Sequence, residues 1–130
     1  MHVLALDTTT RDGSVALVDD AGVIDERRGD AARPHAERLP LEIVDLLAAH
    51  QLRVADVDVF AVAAGPGSFT GLRIGMATIQ GLAFTAKRPV VAVSALDALA
   101  QLGSIDLPAG NSAYPVASII GNFGFRSLIR

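Results

Sequence analysis

A chain of 130 residues with 11 basic and 14 acidic side chains, a formal charge of −3 and 51% hydrophobic residues suits one globular domain. It does not suit a disordered, fibrous or strongly charge-driven nucleic-acid-binding polypeptide. The absence of cysteine excludes a disulfide scaffold, a thiolate zinc site and a cysteine nucleophile. No apolar run approaches a membrane span, and MHVLALDTTT lacks the basic and long apolar regions of a secretory signal, so a soluble cytoplasmic protein is expected.

His2–Asp7 is an apolar run ending in an acid. Ser14–Asp19 and Val23–Arg28 follow, separated by the turn signals Arg11-Asp12-Gly13 and Asp20-Ala21-Gly22. Such short connections predict an antiparallel three-strand meander. From Pro34 to His50 the period changes: Leu39, Ile43, Leu46 and Leu47 mark one face of a helix. Pro34 suits its first turn, while Pro40 predicts a kink or a late start. Val57–Ala64 reads as a buried strand closed by Gly65-Pro66-Gly67. Thr70–Lys87 carries Leu72, Met76, Ile79, Leu82, Ala83 and Ala86 at helical spacing, and Pro89 stops it. Pro89–Val93 is expected to be a second buried strand, and Ser94 to cap a last helix over Ala95–Leu102.

The predicted order βββαβαβα gives an α/β fold with a mixed sheet and helices on its faces, the order of the ribonuclease-H-like half-domain of actin-like ATPases and sugar kinases. Beyond Gln101 the character shifts. Residues 101–130 hold four glycines, two prolines and only three charges, with no persistent period. A domain over 1–102 and a divergent tail over 103–130, poorly ordered or loosely packed over 105–130, are expected.

The segment Gly65–Gly75, GPGSFTGLRIG, follows a strand and opens a helix, where backbone N–H groups can hold an anion. The generic templates fail there. The Gly-Lys-Ser/Thr of a P-loop is missing, Pro66 and Thr70 occupy the glycine positions of a nucleophile elbow around Ser68, and Thr70 breaks a dinucleotide fingerprint. Gly71 and Gly75 lie four apart on one helix face, and Gly81 extends a low-bulk surface. Each costs about 1 kcal/mol of helix stability relative to alanine, so a close neighbour is expected, internal or on a partner subunit.

Asp7-Thr8-Thr9-Thr10 enters the first hairpin. Local turn hydrogen bonds are one role; wrapping a nucleotide phosphate, as in actin-like ATPases, is the other, with weak affinity expected because one half-domain offers only part of the contact surface. His2, His35 and His50 form no HxxxH pair, so no metal site is expected, and His35 reads as a capping or surface residue. Arg27, Arg28, Arg33 and Arg38, interspersed with Asp25, Glu26, Asp30 and Glu37, read as a solvated mixed-charge face.

Four blocks carry a family resemblance: MHVLALDTTTRDGSVALVDD, PHAERLPLEIVDLL, FAVAAGPGSFTGLRIGMATIQGLAF and PVVAVSALDALA. Together they resemble the bacterial TsaB (YeaZ) family across Met1–Gln101. The loop Gly65, Pro66, Gly67, Ser68, Phe69 and Thr70 is specific to that family and its catalytic relative TsaD. The resemblance implies the actin-like (ASKHA) fold and a role in making N6-threonylcarbamoyladenosine at position 37 of tRNAs reading ANN codons. It implies a non-catalytic subunit, with no cofactor of its own, that binds and activates TsaD. TsaE is implied as an ATPase partner and homodimers as a further assembly; tRNA is met only through the complex.

The resemblance also implies pairing through the two long helices, with Leu39, Ile43, Gly71, Arg73, Gly75 and Met76 on the partner face. Gly75→Leu is then expected to weaken pairing while leaving the monomer folded. Family members continue into a second α/β domain, whereas Ile105–Arg130 resembles nothing in the family. An ATP-dependent transferase or kinase using Asp7–Thr10 is the alternative reading. A stand-alone RNA-binding module is disfavoured by the charge and by the lack of an aromatic-basic stripe. With no HExxH and no cysteine, nothing supports peptidase chemistry.

Overall fold

The computed structural model describes residues 1–97. Strands β1 (Val3–Asp7), β2 (Ser14–Asp19) and β3 (Gly22–Arg28) are followed by helix α1 (His35–Ala49) and a single 3-10 turn at Val54–Asp56. Strand β4 (Val59–Ala63), helix α2 (Phe69–Ala86) and strand β5 (Val90–Val93) complete the order. One sheet runs β3-β2-β1-β4-β5. The hairpin pairs are antiparallel, with Leu4 opposite Leu17 and Ala16 opposite Glu26, and the β1–β4 and β4–β5 pairs are parallel. The meander and the helical crossovers are thus as the turn signals and the change of period imply.

Alternation along the strands divides the core. Leu4, Leu6, Val15, Leu17, Phe60 and Val62 face the helices, where Leu39, Ile43, Leu46 and Leu47 of α1 and Ile79 and Ala83 of α2 meet them. Val3, Ala5, Ala16, Val18, Val59, Ala61 and Val93 form the opposite, smaller-residue face, joined by Ala95. Both long helices therefore lie on the same side of the sheet.

Two expectations are corrected and a third is met as far as the described residues reach. Strand β5 is not buried: Val90 and Ala92 are exposed and only Val93 is fully covered, because β5 is an edge strand. Pro40 causes no late start, since α1 begins at His35, five residues earlier. Pro40 and Ala36 are both exposed, so water can take the carbonyl that proline leaves unpaired. The start of the last helix is visible at Ala95–Asp97, where the Asp97 N–H donates to Ser94 Oγ at 3.3 Å. The rest of that helix and the tail over 103–130 lie outside the described residues.

Strand β3 is the other edge and carries Asp25, Glu26, Arg27 and Arg28, a charged border that discourages strand addition. Asp25 accepts from His50 Nε2 at 2.9 Å, which fastens the end of α1 to the sheet and, with Arg27, holds its carboxyl below the usual range. Glu26 differs. Burial pushes its carboxyl up from the ordinary 4.5, and Oε1 has no hydrogen-bond partner among the described residues. A raised folded-state value means that the protein loses stability as pH rises through it. Glu26→Gln is therefore expected to raise the melting temperature at pH 7. The gain should disappear below pH 4.5, where wild-type Glu26 is protonated in both states. Melting curves at the two pH values check this.

Candidate functional site

The parallel strands β1, β4 and β5 end on the same edge, the usual place for a site in an open α/β sheet. Two loops meet there: the Asp7–Gly13 hairpin and the Ala64–Ser68 loop that opens α2. The hairpin is an Asx turn. Asp7 Oδ1 accepts from the Thr9 N–H at 2.8 Å and from Thr9 Oγ1 at 2.6 Å. Thr10 Oγ1 donates to Asp12 at 2.8 Å, which holds that carboxyl below its ordinary range, and accepts from the Gly13 N–H at 3.3 Å. Asp7 is 4% exposed and Thr8 is fully buried. The turn role anticipated for Asp7, Thr9 and Thr10 is thus present, and the Thr9 N–H and both hydroxyls are engaged within the hairpin.

The second loop is pressed against the first. Ser68 N–H donates to the Thr9 carbonyl at 3.0 Å, and Ser68 Oγ caps α2 by accepting from Gly71 N–H at 3.2 Å. Gly65, at φ +104°, adopts a backbone suited only to glycine, precedes Pro66 through a cis peptide bond, and its carbonyl accepts from Ala95 N–H at 2.8 Å.

Gly67, Gly71 and Gly75 form one seat, four residues apart. A Cβ on Gly67 would lie 2.6 Å from Thr9 Cβ, one on Gly71 would lie 2.2 Å from the Thr8 carbonyl oxygen, and one on Gly75 would lie 2.1 Å from Thr8 Oγ1. The close neighbour that the glycine spacing demands is therefore internal. It is the end of β1, which the missing side chains admit against α2. Gly81 plays no part in it and has nothing within 4 Å. The part of Gly67 goes unrecognised in the sequence because it lies before the helix. Its i, i+4 relation to Gly71 was the available signal.

This changes the expected partner face. Leu39 and Ile43 are core residues at 2% and 1% exposure, Met76 packs against the same core, and Gly71 and Gly75 face Thr8. Of the six residues expected on that face, only Arg73 points outward, with its guanidinium 5.5 Å from the centre of the Phe69 ring. The expectation that Gly75→Leu would spare the fold is overturned by the contact with Thr8. The large apolar side chains that the two helices do leave exposed are Leu41 and Val44 on α1 and Phe69 and Phe84 on α2, at 63%, 53%, 73% and 87%.

His35 and Arg38 are also corrected. Neither is a surface residue. His35 is buried, and Arg38 is 2% exposed. Arg38 binds both Glu42 oxygens through Nη1, at 2.9 and 3.0 Å, and Nε donates to the Arg33 carbonyl at 3.1 Å. Nη2 shares its two N–H groups among three acceptors, two of them the carbonyls of Arg11, at 3.2 Å, and Asp12. It also donates to His35 Nδ1 at 2.7 Å, which leaves Nε2 to donate to the Thr10 carbonyl at 2.9 Å. Two side chains of α1 thus hold the backbone of the hairpin from beneath. Charge runs in a sequence resemble solvated faces; a buried arginine is revealed only when carbonyls converge on it.

Among the described residues no group of three or more histidine or acidic side chains is placed to hold a metal, and no helix is long and apolar enough to cross a membrane.

A family model described as "TsaD: tRNA N6-adenosine threonylcarbamoyltransferase" matches residues 21–121. The chain is 40% identical over 101 residues to the tRNA threonylcarbamoyladenosine biosynthesis protein TsaB of Escherichia coli, covering 78% of this chain and 43% of that protein. It superposes on YeaZ from Pseudomonas aeruginosa with a TM-score of 0.69 and 43% identity, over 77% of this chain and 46% of that one. The likeness to Thermus thermophilus RuvC, with a TM-score of 0.56, 13% identity and coverage of 93% of this chain and 87% of that one, concerns the ribonuclease-H-like fold alone. The chain spans less than half the length of the curated TsaB relatives it matches.

Proposed function

Because the chain belongs to the TsaB (YeaZ) family, we propose that it serves the synthesis of N6-threonylcarbamoyladenosine at position 37 of tRNAs reading ANN codons, as a non-catalytic subunit that binds and activates a TsaD homologue in the cytoplasm. TsaE joins as the ATPase partner, and tRNA is met through the complex. The observation that carries this reading is the outer surface of α1 and α2. Leu41, Val44, Phe69 and Phe84 stand exposed on two helices that already cover the sheet with their other faces. Two adjacent helices can contribute their share of the roughly 1,200–2,000 Å² that a stable pairing buries. The hairpin supports a subunit more than a kinase, since Thr9 and Thr10 direct their hydroxyls to Asp7 and Asp12.

Mixing the chain with the TsaD homologue of the same cell and weighing the product by native mass spectrometry is expected to give a 1:1 complex; separate species would overturn the reading. The isolated chain should show no threonylcarbamoyl transfer above background. Leu41→Glu combined with Phe84→Glu is expected to weaken the complex by about thirtyfold or more, the scale of buried apolar anchors. Its circular-dichroism melt should stay close to wild type because both side chains are exposed in the free chain. Unchanged affinity would place the interface elsewhere.

A further inference from the structure

The carboxylate of Glu42 lies at the boundary between two regions. Outward, it is 26% exposed beside the exposed Leu41 and Asp45; inward, it receives both hydrogen bonds of Arg38 Nη1. Arg38 in turn grips the carbonyls of Arg11 and Asp12 and the ring of His35, which grips Thr10. Gly29 leaves room for the guanidinium, since a Cβ there would sit 1.5 Å from Nη1. We infer that Glu42, Arg38 and His35 form a tie through which coverage of the outer face of α1 sets how firmly the Asp7–Gly13 hairpin is held.

The physical basis is solvent. Water competes with Arg38 for the Glu42 carboxylate, and every release lets the guanidinium drift from the hairpin carbonyls. A protein seated over Leu41 and Val44 displaces that water, lowers the local dielectric and strengthens the pair. By reciprocity, whatever firms the hairpin strengthens docking on α1. The inference rests on the assembly reading above, and Arg38 acts in it as a positioning residue.

Amide exchange in the whole chain tests it. The reporters are the N–H groups of Thr9, Gly13 and Gly29, each hydrogen-bonded in or to the hairpin. Glu42→Ala is expected to speed their exchange about tenfold, a single charge-assisted contact's worth, and Glu42→Gln to restore part of it. Amides of Phe60–Val62 in β4 should keep their rates, as they would not if the variant merely lowered global stability. Adding the TsaD homologue should slow the hairpin amides in wild type and not in Glu42→Ala. Equal hairpin rates in wild type and Glu42→Ala, or equal slowing by the partner in both, would overturn the tie. A wild-type complex that forms without slowing the hairpin would overturn it while sparing the assembly reading. Absence of any complex by sedimentation would overturn both.

Discussion

Gly71→Ala is expected to be the more damaging of two outwardly similar substitutions, with a net loss of about 2–3 kcal/mol of stability even though alanine favours a helix by about 1 kcal/mol over glycine. The new methyl would stand 2.2 Å from the carbonyl oxygen of Thr8, a backbone atom. That oxygen cannot swing aside, because the chain on one side of it is β1 and on the other is the Asx turn held by Asp7. Either α2 or the end of β1 must move, and both are fastened at Ser68 and Thr9. Gly75→Ala meets a side chain instead, Thr8 Oγ1 at 2.1 Å. This hydroxyl is buried and has no hydrogen-bond partner among the described residues, so removing it should cost little. Thr8→Ala should therefore recover much of the loss in Gly75→Ala and none of the loss in Gly71→Ala. Urea denaturation of the single and double variants measures both couplings. Equal recovery in the two cases would show that Gly71 and Gly75 do not meet different atoms of Thr8.

Arg38→Met is expected to cost about 3–5 kcal/mol, the range for breaking a buried pair by removing one partner. Methionine fills part of the space but donates nothing. The carbonyls of Arg11, Asp12 and Arg33 then lose their donor, and Glu42 keeps a charge without a counterion. Arg38→Lys should recover only a fraction, because one ammonium cannot span carbonyls that a planar five-donor fork reaches together. The loss would be read from the midpoint of urea unfolding at neutral pH. A change under about 1 kcal/mol would mean that desolvating the guanidinium cancels its hydrogen bonds in the native protein.

The amino-acid sequence alone dictated the element order and which pairings are antiparallel and which parallel. Turns at Arg11-Asp12-Gly13 and Asp20-Ala21-Gly22 leave adjacent strands no choice but antiparallel pairing, and a helical period between two apolar runs forces a parallel crossover. It also determined that Leu39, Ile43 and Ile79 lie on apolar stripes, and GPGSFTGLRIG carried the family. It did not decide what each stripe or gap faces, since periodicity fixes which residues share a side of a helix and not which neighbour that side meets. Packing of α1 on the sheet turned Leu39 and Ile43 inward and left Leu41 and Val44 outside. Gly71 and Gly75 met Thr8 rather than a partner because β1 ends beneath α2, a juxtaposition of residues more than sixty positions apart. The burial of Arg38 and His35 has the same origin. A charged side chain enters the interior only where enough acceptors converge to replace water, and the carbonyls of Arg11, Asp12 and Arg33 converge only once the hairpin has folded over α1.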